Sequence, residues 1–259
     1  MFAFASAVFG ATSYAAFLAT ILYAIGFVGN LPLPKTIDSG APGPIAWAII
    51  VNSVLLGLFA MQHSVMARPA FRLWWTRFVP QPVERATFVL FASLTLDLLF
   101  WQWKPIAGTA WQVSDPADAF AIQIFFWFGW ALLFVSTFLL SHFELFGLHQ
   151  IYARLRGKPT PLAEFKTPSL YKRVRHPIYL GFLIAFWATP NMSYGHLFFA
   201  CATTAYILLG IQLEERDLIA IFGDQYRAYR KRVPMLLPYS LKPLDPTPAN
   251  PPDPAQQPH

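Results

Sequence analysis

Apolar residues in this chain come in long runs separated by short polar segments, and about 20 apolar residues in a row carry an α-helix across the hydrocarbon core of a bilayer. The runs fall at residues 4–28, 45–63, 86–103 and 120–141, followed by a paired set at 177–190 and 196–213. The first arm of that last pair is short for a crossing and meets Thr189-Pro190-Asn191, which breaks a helix. It therefore either tilts or stops before the far side, and the count is five or six spans. Beyond it, Phe222, Tyr226, Tyr229 and Val233 recur at helical spacing, with Arg227, Arg230, Lys231 and Arg232 around the other faces. That pattern predicts an interfacial amphipathic helix, acting either as a lid or as a plain membrane anchor. The expected fold class is all-α: a polytopic membrane helix bundle of five to six spans with a C-terminal helical hairpin.

Composition agrees with the pattern. At 56% hydrophobic, 17% aromatic and 12% charged residues, a chain of 259 residues has too little polar surface to solvate a soluble globule. Every one of the 19 Lys and Arg residues except Lys35 and Lys104 lies in segments 64–85, 142–176 or the tail from Glu214. The positive-inside rule makes that side cytoplasmic, along with both termini. The net charge of +6 is mostly this asymmetry, which favours membrane lipids as partners and argues against nucleic acid. No obligate protein partner is implied. The N-terminus lacks a basic leader and its apolar run is too long for a signal peptide, so it reads as a first span. The lone cysteine, Cys201, permits no disulfide within the chain and reads as a small core residue. Residues 1–237 are expected to form the membrane domain, and the Pro-rich segment 238–259 a disordered cytoplasmic tail.

No dinucleotide fingerprint, P-loop, zinc-protease motif or nucleophile elbow occurs. The distinctive chemistry lies between Arg175 and Pro234. This stretch opens RHPIYLG, passes through the hydrophobic pair and resumes as EERDLIAIFGDQYRAYRKRVP. A hairpin there brings Arg175, His176 and Tyr179 to Glu214 and Glu215. Taken singly, the cations read as membrane anchors and the carboxylates as charge balance at a helix end. Taken together they read as a site, because a carboxylate pair beside a span is costly without partners.

The pairing of RHPIYLG with the following EE and F-G-x-x-Y-x-x-Y-x-x-x-V-P resembles the cofactor region of the isoprenylcysteine carboxyl methyltransferase and phospholipid methyltransferase group, membrane enzymes that use S-adenosylmethionine. MQHSVMARPAF (Met61 to Phe71) and SHFELFGLHQ (Ser141 to Gln150) resemble its nurim-like branch. With YAIGFVGNLPLPKTIDSG added, the chain is most similar there to the bacterial methanethiol S-methyltransferases, over about residues 10–236. The resemblance implies S-adenosylmethionine as cofactor, a small thiol as substrate and a bacterial inner membrane. It also implies a cofactor region at 171–234 that includes Arg175, His176, Pro177, Tyr179, Gly181, Glu214 and Glu215. Arg175 or His176 suits the cofactor carboxylate, and a glutamate suits its ribose or amine. Tyr179 offers a ring face or a hydroxyl. Pro177 fits a first helical turn, and Gly181 allows a ligand or helix to come close. Tyr226 and Tyr229 join the set if the last helix is a lid.

Methylating a thiol requires its deprotonation and a dry, aligned approach to the methyl group. Candidates for the base sit at the cytoplasmic ends of the second and fourth spans: His63 in Gln62-His63-Ser64, and His142 with Glu144 in Ser141-His142-Phe143-Glu144. A plain polar residue at a span end is an equally good account of His63. His142 and His149 are seven apart on an expected common helical face, but two histidines without a third ligand do not make a metal site. Phe143, Phe146, Trp74 and Trp187 are expected to line the thiol pocket, and Asp97 to bond between helices. Two other activities fit the same motifs: methylation of a lipid or prenylated cysteine, and a non-enzymatic nurim-like role.

Overall fold

A computed structural model describes residues 2–157 and 165–238. The chain folds as a helical membrane bundle. Helix α1 (Phe2–Val28) is followed by α2 (Ile45–Ala67), the short α3 (Pro69–Trp75) and α4 (Gln81–Gln102). Strand β1 (Thr109–Gln112) precedes α5 (Pro116–Leu140), and the short α6 (His142–Leu145) and α7 (Leu148–Leu155) come next. A 3-10 turn at Ser169–Lys172 leads to α8 (Pro177–Trp187), β2 (Asn191–Ser193) and the long α9 (Tyr194–Arg232).

Local chemistry sets these boundaries. Pro69, Pro116 and Pro177 open their helices, where a missing N–H costs nothing. Asp115 caps α5 by accepting from the backbone N–H groups of Ala117 and Asp118 at 2.9 and 3.0 Å. Ser193 caps α9 through the N–H of His196 at 2.9 Å.

Among the described residues, four helices are long and apolar enough to cross a membrane: α1, α2, α5 and α9. Helix α4 has similar length but carries Glu84, Arg85 and Asp97, and it packs against both α1 and α2. Asp97 faces Thr20 of α1. The core joins the helices through Phe27, Leu99, Trp103, Phe126, Trp130, Ala185 and Phe199.

The structure corrects some of these expectations and bears out others. The fold is not purely helical, because β1 and β2 pair antiparallel, Trp111 opposite Met192 and Gln112 opposite Asn191. The last amphipathic segment is set off from the rest of α9 by a kink at Gly223 (φ 55°, ψ −128°), a conformation open to glycine. Tyr226 and Val233 on its predicted face are buried against protein. Helix α8 stops after 11 residues, about 16 Å, and the chain continues extended to β2. Cys201 is exposed on α9 rather than in the core. Apart from Pro238, the predicted tail lies outside the described residues.

Opposite ends of the bundle are held differently. At the end bearing β1 and β2, the buried Asn52 amide donates to the Lys104 carbonyl at 2.8 Å and accepts from its N–H at 2.9 Å. Asn52→Leu leaves both backbone groups unpaired, at an expected cost of about 1–3 kcal/mol. A lowered thermal midpoint in detergent checks this.

Helix α8 is set by its contact with α5, where two glycines face each other. A Cβ on Gly181 would lie 2.7 Å from the Gly129 carbonyl oxygen and 2.8 Å from the Leu133 nitrogen. One on Gly129 would lie 2.6 Å from the Ala185 nitrogen. Only at these small-residue positions can the two backbones approach so closely. The start of α8, with His176 and Tyr179, is thereby fixed to α5.

Candidate functional site

The residues just before α8 meet α9 around one buried carboxylate. Arg175 Nε donates to Glu215 Oε1 at 2.7 Å, and His176 Nε2 lies 3.1 Å from the same oxygen. Arg230 Nε approaches Oε2 at 3.1 Å from a later turn of α9. A carboxylate only accepts, so His176 carries a proton on Nε2, which leaves Nδ1 turned towards Glu214 Oε2, 3.8 Å away. Arg175 is further spent on the backbone: Nη1 donates to the carbonyls of Arg230, at 3.1 Å, and Val233. The N–H groups of Arg175 and His176 donate to the carbonyls of Pro234 and Met235 at 2.9 and 3.2 Å. Arg175 and Glu215 thus clasp the end of α9 over the start of α8.

Glu214 is different. Its side chain is 43% exposed, and Tyr179 lies against it while the Tyr179 ring sits 5.7 Å from that of His176. Tyr229 donates from its hydroxyl to the Tyr171 carbonyl at 2.5 Å, and Tyr171 in turn donates to the Ser136 carbonyl of α5 at 3.3 Å. Tyr226 is buried beside Tyr229, with Arg175 close to its hydroxyl. Pro177 and Gly181 serve the backbone of α8, by opening the helix and by admitting α5.

A second polar centre lies at the same end of the bundle. His142, Glu144, Phe138, Ser141, Phe143 and His149 surround a recess of about 320 Å³. The expected common face for His142 and His149 is broken at Phe146 and Gly147, which separate α6 from α7, yet both rings reach this recess. Of the four aromatics expected around a thiol, only Phe143 lines it. Phe146 stacks on Phe17 at 3.9 Å, Trp74 is exposed on α3, and Trp187 donates to Thr204 on α9. His142 is buried, with Nε2 2.8 Å from the Tyr14 hydroxyl and Nδ1 2.8 Å from Thr137 Oγ1. Burial pushes its pKa below the ordinary histidine value.

His63 does not line this recess. Its ring lies between those of Phe59 and Phe88, at 5.3 and 5.0 Å, and its Nδ1 is buried with no hydrogen-bond partner among the described residues. Arg68 and Arg85 are its nearest charges. Arg85 links the two centres: its Nε donates to the Leu145 carbonyl at 2.8 Å, and it is close enough to Glu144 and Glu214 to feel both charges. Sequence reasoning missed Arg85, Tyr14, Thr137 and Tyr171. Each works through a partner far along the chain or on a neighbouring helix, and nothing in its local sequence announces that partner.

No family model and no solved structure matches the chain. Among known proteins, it is 56% identical over 239 residues to methanethiol S-methyltransferase 1 of Bradyrhizobium diazoefficiens, covering 92% of this chain and 84% of that protein. It is 55% identical over 232 residues to the methanethiol S-methyltransferase of Mycobacterium tuberculosis, covering 90% and 95%. A more distant similarity, 29% over 193 residues and 70% of each chain, joins it to nurim of Pan troglodytes.

Proposed function

The chain belongs to the methanethiol S-methyltransferase family, and from that membership we propose that it methylates methanethiol with S-adenosylmethionine, releasing dimethyl sulfide at the cytoplasmic face of a bacterial inner membrane. In this reading the chain makes six passes, the fifth built from α8 and the extended segment after it. The observation that carries the site is the ionic cluster around Glu215, which leaves Glu214 half-exposed beside His176 and Tyr179.

S-adenosylmethionine supplies, when bound, a methyl group on a cationic sulfur that departs with the bonding electrons. The residues present suit it. Glu214 accepts from the amine or ribose hydroxyls, and Tyr179 offers its ring to the positive sulfur. The buried hydroxyl of Tyr226, beside Arg175, supplies a further polar contact beneath the last turns of α9. Arg175 and Glu215 act by holding His176 in place, and Tyr229 ties the covering segment to Tyr171. On the thiol side His142 is the proton acceptor, Glu144 shares its recess, and His63 packs behind with Arg85 between the two centres. Methanethiol and dimethyl sulfide are small and apolar, so they exchange with the bilayer while the charged donor comes from the cytosol.

Membranes carrying the protein, given labelled S-adenosylmethionine and methanethiol, are expected to release labelled dimethyl sulfide only when the thiol is present. Label in the lipid fraction instead would favour a lipid or prenylcysteine substrate, and no transfer at all would favour a nurim-like non-enzymatic role. Glu214→Ala is expected to weaken S-adenosylmethionine binding by about 10- to 100-fold, the scale of a lost charge-assisted hydrogen bond. Calorimetric titration in detergent reads this directly, and unchanged affinity would remove Glu214 from the site.

A further inference from the structure

We propose that Tyr14 is a catalytic residue of the methyl transfer: its hydroxyl takes the proton of the bound thiol as it passes its own to Nε2 of His142, in a tautomer that Thr137 enforces. The proposal rests on the thiol methylation proposed above and adds two residues that no motif in the chain marks.

Hydrogen-bond arithmetic fixes the tautomer. Thr137 Oγ1 lies 2.7 Å from the carbonyl oxygen of Phe134, which can only accept, so the single hydroxyl proton of Thr137 is committed there. Nδ1 of His142, 2.8 Å from the same Oγ1, must therefore be the donor. That places the ring lone pair on Nε2. Tyr14 sits 2.8 Å from Nε2, and its hydroxyl donates to that lone pair. The Phe138 ring stacks flat on the imidazole, centroids 4.2 Å apart and planes within 5°, while Tyr14 meets it edge-on at 89°.

The local backbone is strained to achieve this. Ser141, which ends α5, has φ +118°, a conformation that non-glycine residues rarely adopt. It turns His142 back against Thr137, five residues earlier. The imidazole then lies in the wall of the 320 Å³ recess. The titratable groups around it are Tyr14 from α1, Glu144 beside it on α6 and His149 from α7, with Arg85 of α4 facing Glu144. Burial lowers the pKa of the ring and so favours the neutral form that an acceptor needs.

The step balances. The S–H proton moves to the Tyr14 oxygen, the Tyr14 proton moves to Nε2, and the charge left is thiolate plus imidazolium. The thiolate now accepts from the Tyr14 hydroxyl, which accepts from Nε2–H. The sulfur then forms its bond to the methyl carbon of the donor as the donor carbon–sulfur bond breaks, the electron pair staying on the donor sulfur. The proton on His142 returns to water.

Tyr14 and Thr137 affect the titration of His142 in opposite directions. A phenol hydroxyl is a better donor than acceptor, so Tyr14 stabilises the neutral ring more than the imidazolium, and Tyr14→Phe should raise the histidine pKa. Thr137 accepts more strongly from the imidazolium, so Thr137→Val should lower it. Each shift is expected to be about half a unit to one unit, with Thr137→Ser close to wild type. Carbon NMR of labelled histidine in the full chain in detergent reads the titration without turnover, and His142→Gln identifies the signal. Headspace dimethyl sulfide should show kcat reduced about 100-fold or more in Tyr14→Phe, with normal accumulation in the membrane. Full kcat in Tyr14→Phe, or shifts absent or of the same sign in the two variants, would overturn the relay. Wild-type protein without thiol-dependent turnover would instead overturn the reading on which it rests.

Discussion

Glu215→Ala is expected to destabilise the protein by about 3–5 kcal/mol and to abolish cofactor binding, the largest effect of any single side-chain truncation in the site. Arg175 and Glu215 are both almost fully buried, and they meet at 2.7 Å. Removing the carboxylate strands a guanidinium away from water, and it also removes the acceptor that orients His176 through Nε2. The two backbone carbonyls that also hold Arg175 soften the loss without neutralising the charge. Arg230, about half exposed, contributes little of its own because water screens it. Thermal unfolding in detergent with and without S-adenosylmethionine checks this. A loss of about 1 kcal/mol or less, as for a surface ion pair, would show that the carbonyls alone hold the clasp.

Gly181→Val is expected to be the next most damaging change. The added Cβ would meet the Gly129 carbonyl oxygen at 2.7 Å, the Leu133 nitrogen at 2.8 Å and the Leu133 Cβ at 3.0 Å. Two of these three atoms are helix backbone and cannot turn aside, so α8 must lift from α5. Overpacking of this kind costs about 1–3 kcal/mol or somewhat more. Functional loss should exceed that of stability, because α8 carries Tyr179 in its first turn and begins immediately after His176. The expected signature is a lowered thermal midpoint together with cofactor affinity that falls further than the midpoint explains. Gly210→Val, at a glycine of α9 with open space around it, is the control that should do neither.

Much of the fold was legible in the chain because the bilayer makes hydrophobic length an almost sufficient signal. The runs at 4–28, 45–63, 86–103 and 120–141 reappear as α1, α2, α4 and α5 within a few residues. The short first arm of the hairpin was visible in Pro190, and α8 does end early. What length could not convey was the pairing of β1 with β2, since a strand of three or four residues has no pattern of its own and exists only by virtue of its partner. The run of α9 past Glu214 was hidden for a related reason. Composition changes at Glu214, where the apolar face gives way to a charged one, but the helix continues to its kink at Gly223.

The site divides along the same line. RHPIYLG and the glutamate pair lie close to one another in sequence pattern, and a hairpin is enough to predict that they meet. That Arg175 is spent on Glu215 and two carbonyls while Glu214 stays half-exposed depends on which face of α9 turns inward. His142 was visible as a histidine at a span end. Its tautomer was not, because Tyr14 lies 128 residues away on a helix that reads as a first membrane span.

By itself, the sequence determined the membrane class, the approximate helices, the clustering of charge between the apolar runs and the two stretches that meet around Glu215. All four follow from hydrophobic length, charge asymmetry and short-range motif, which are local quantities. Only the tertiary structure decided which glutamate is locked and which is open, which glycines let α5 and α8 touch, and which nitrogen of His142 is basic. Those outcomes depend on contacts between helices whose separation along the chain carries no periodic or compositional trace, and on directional hydrogen bonds whose partners exist only once the helices have packed.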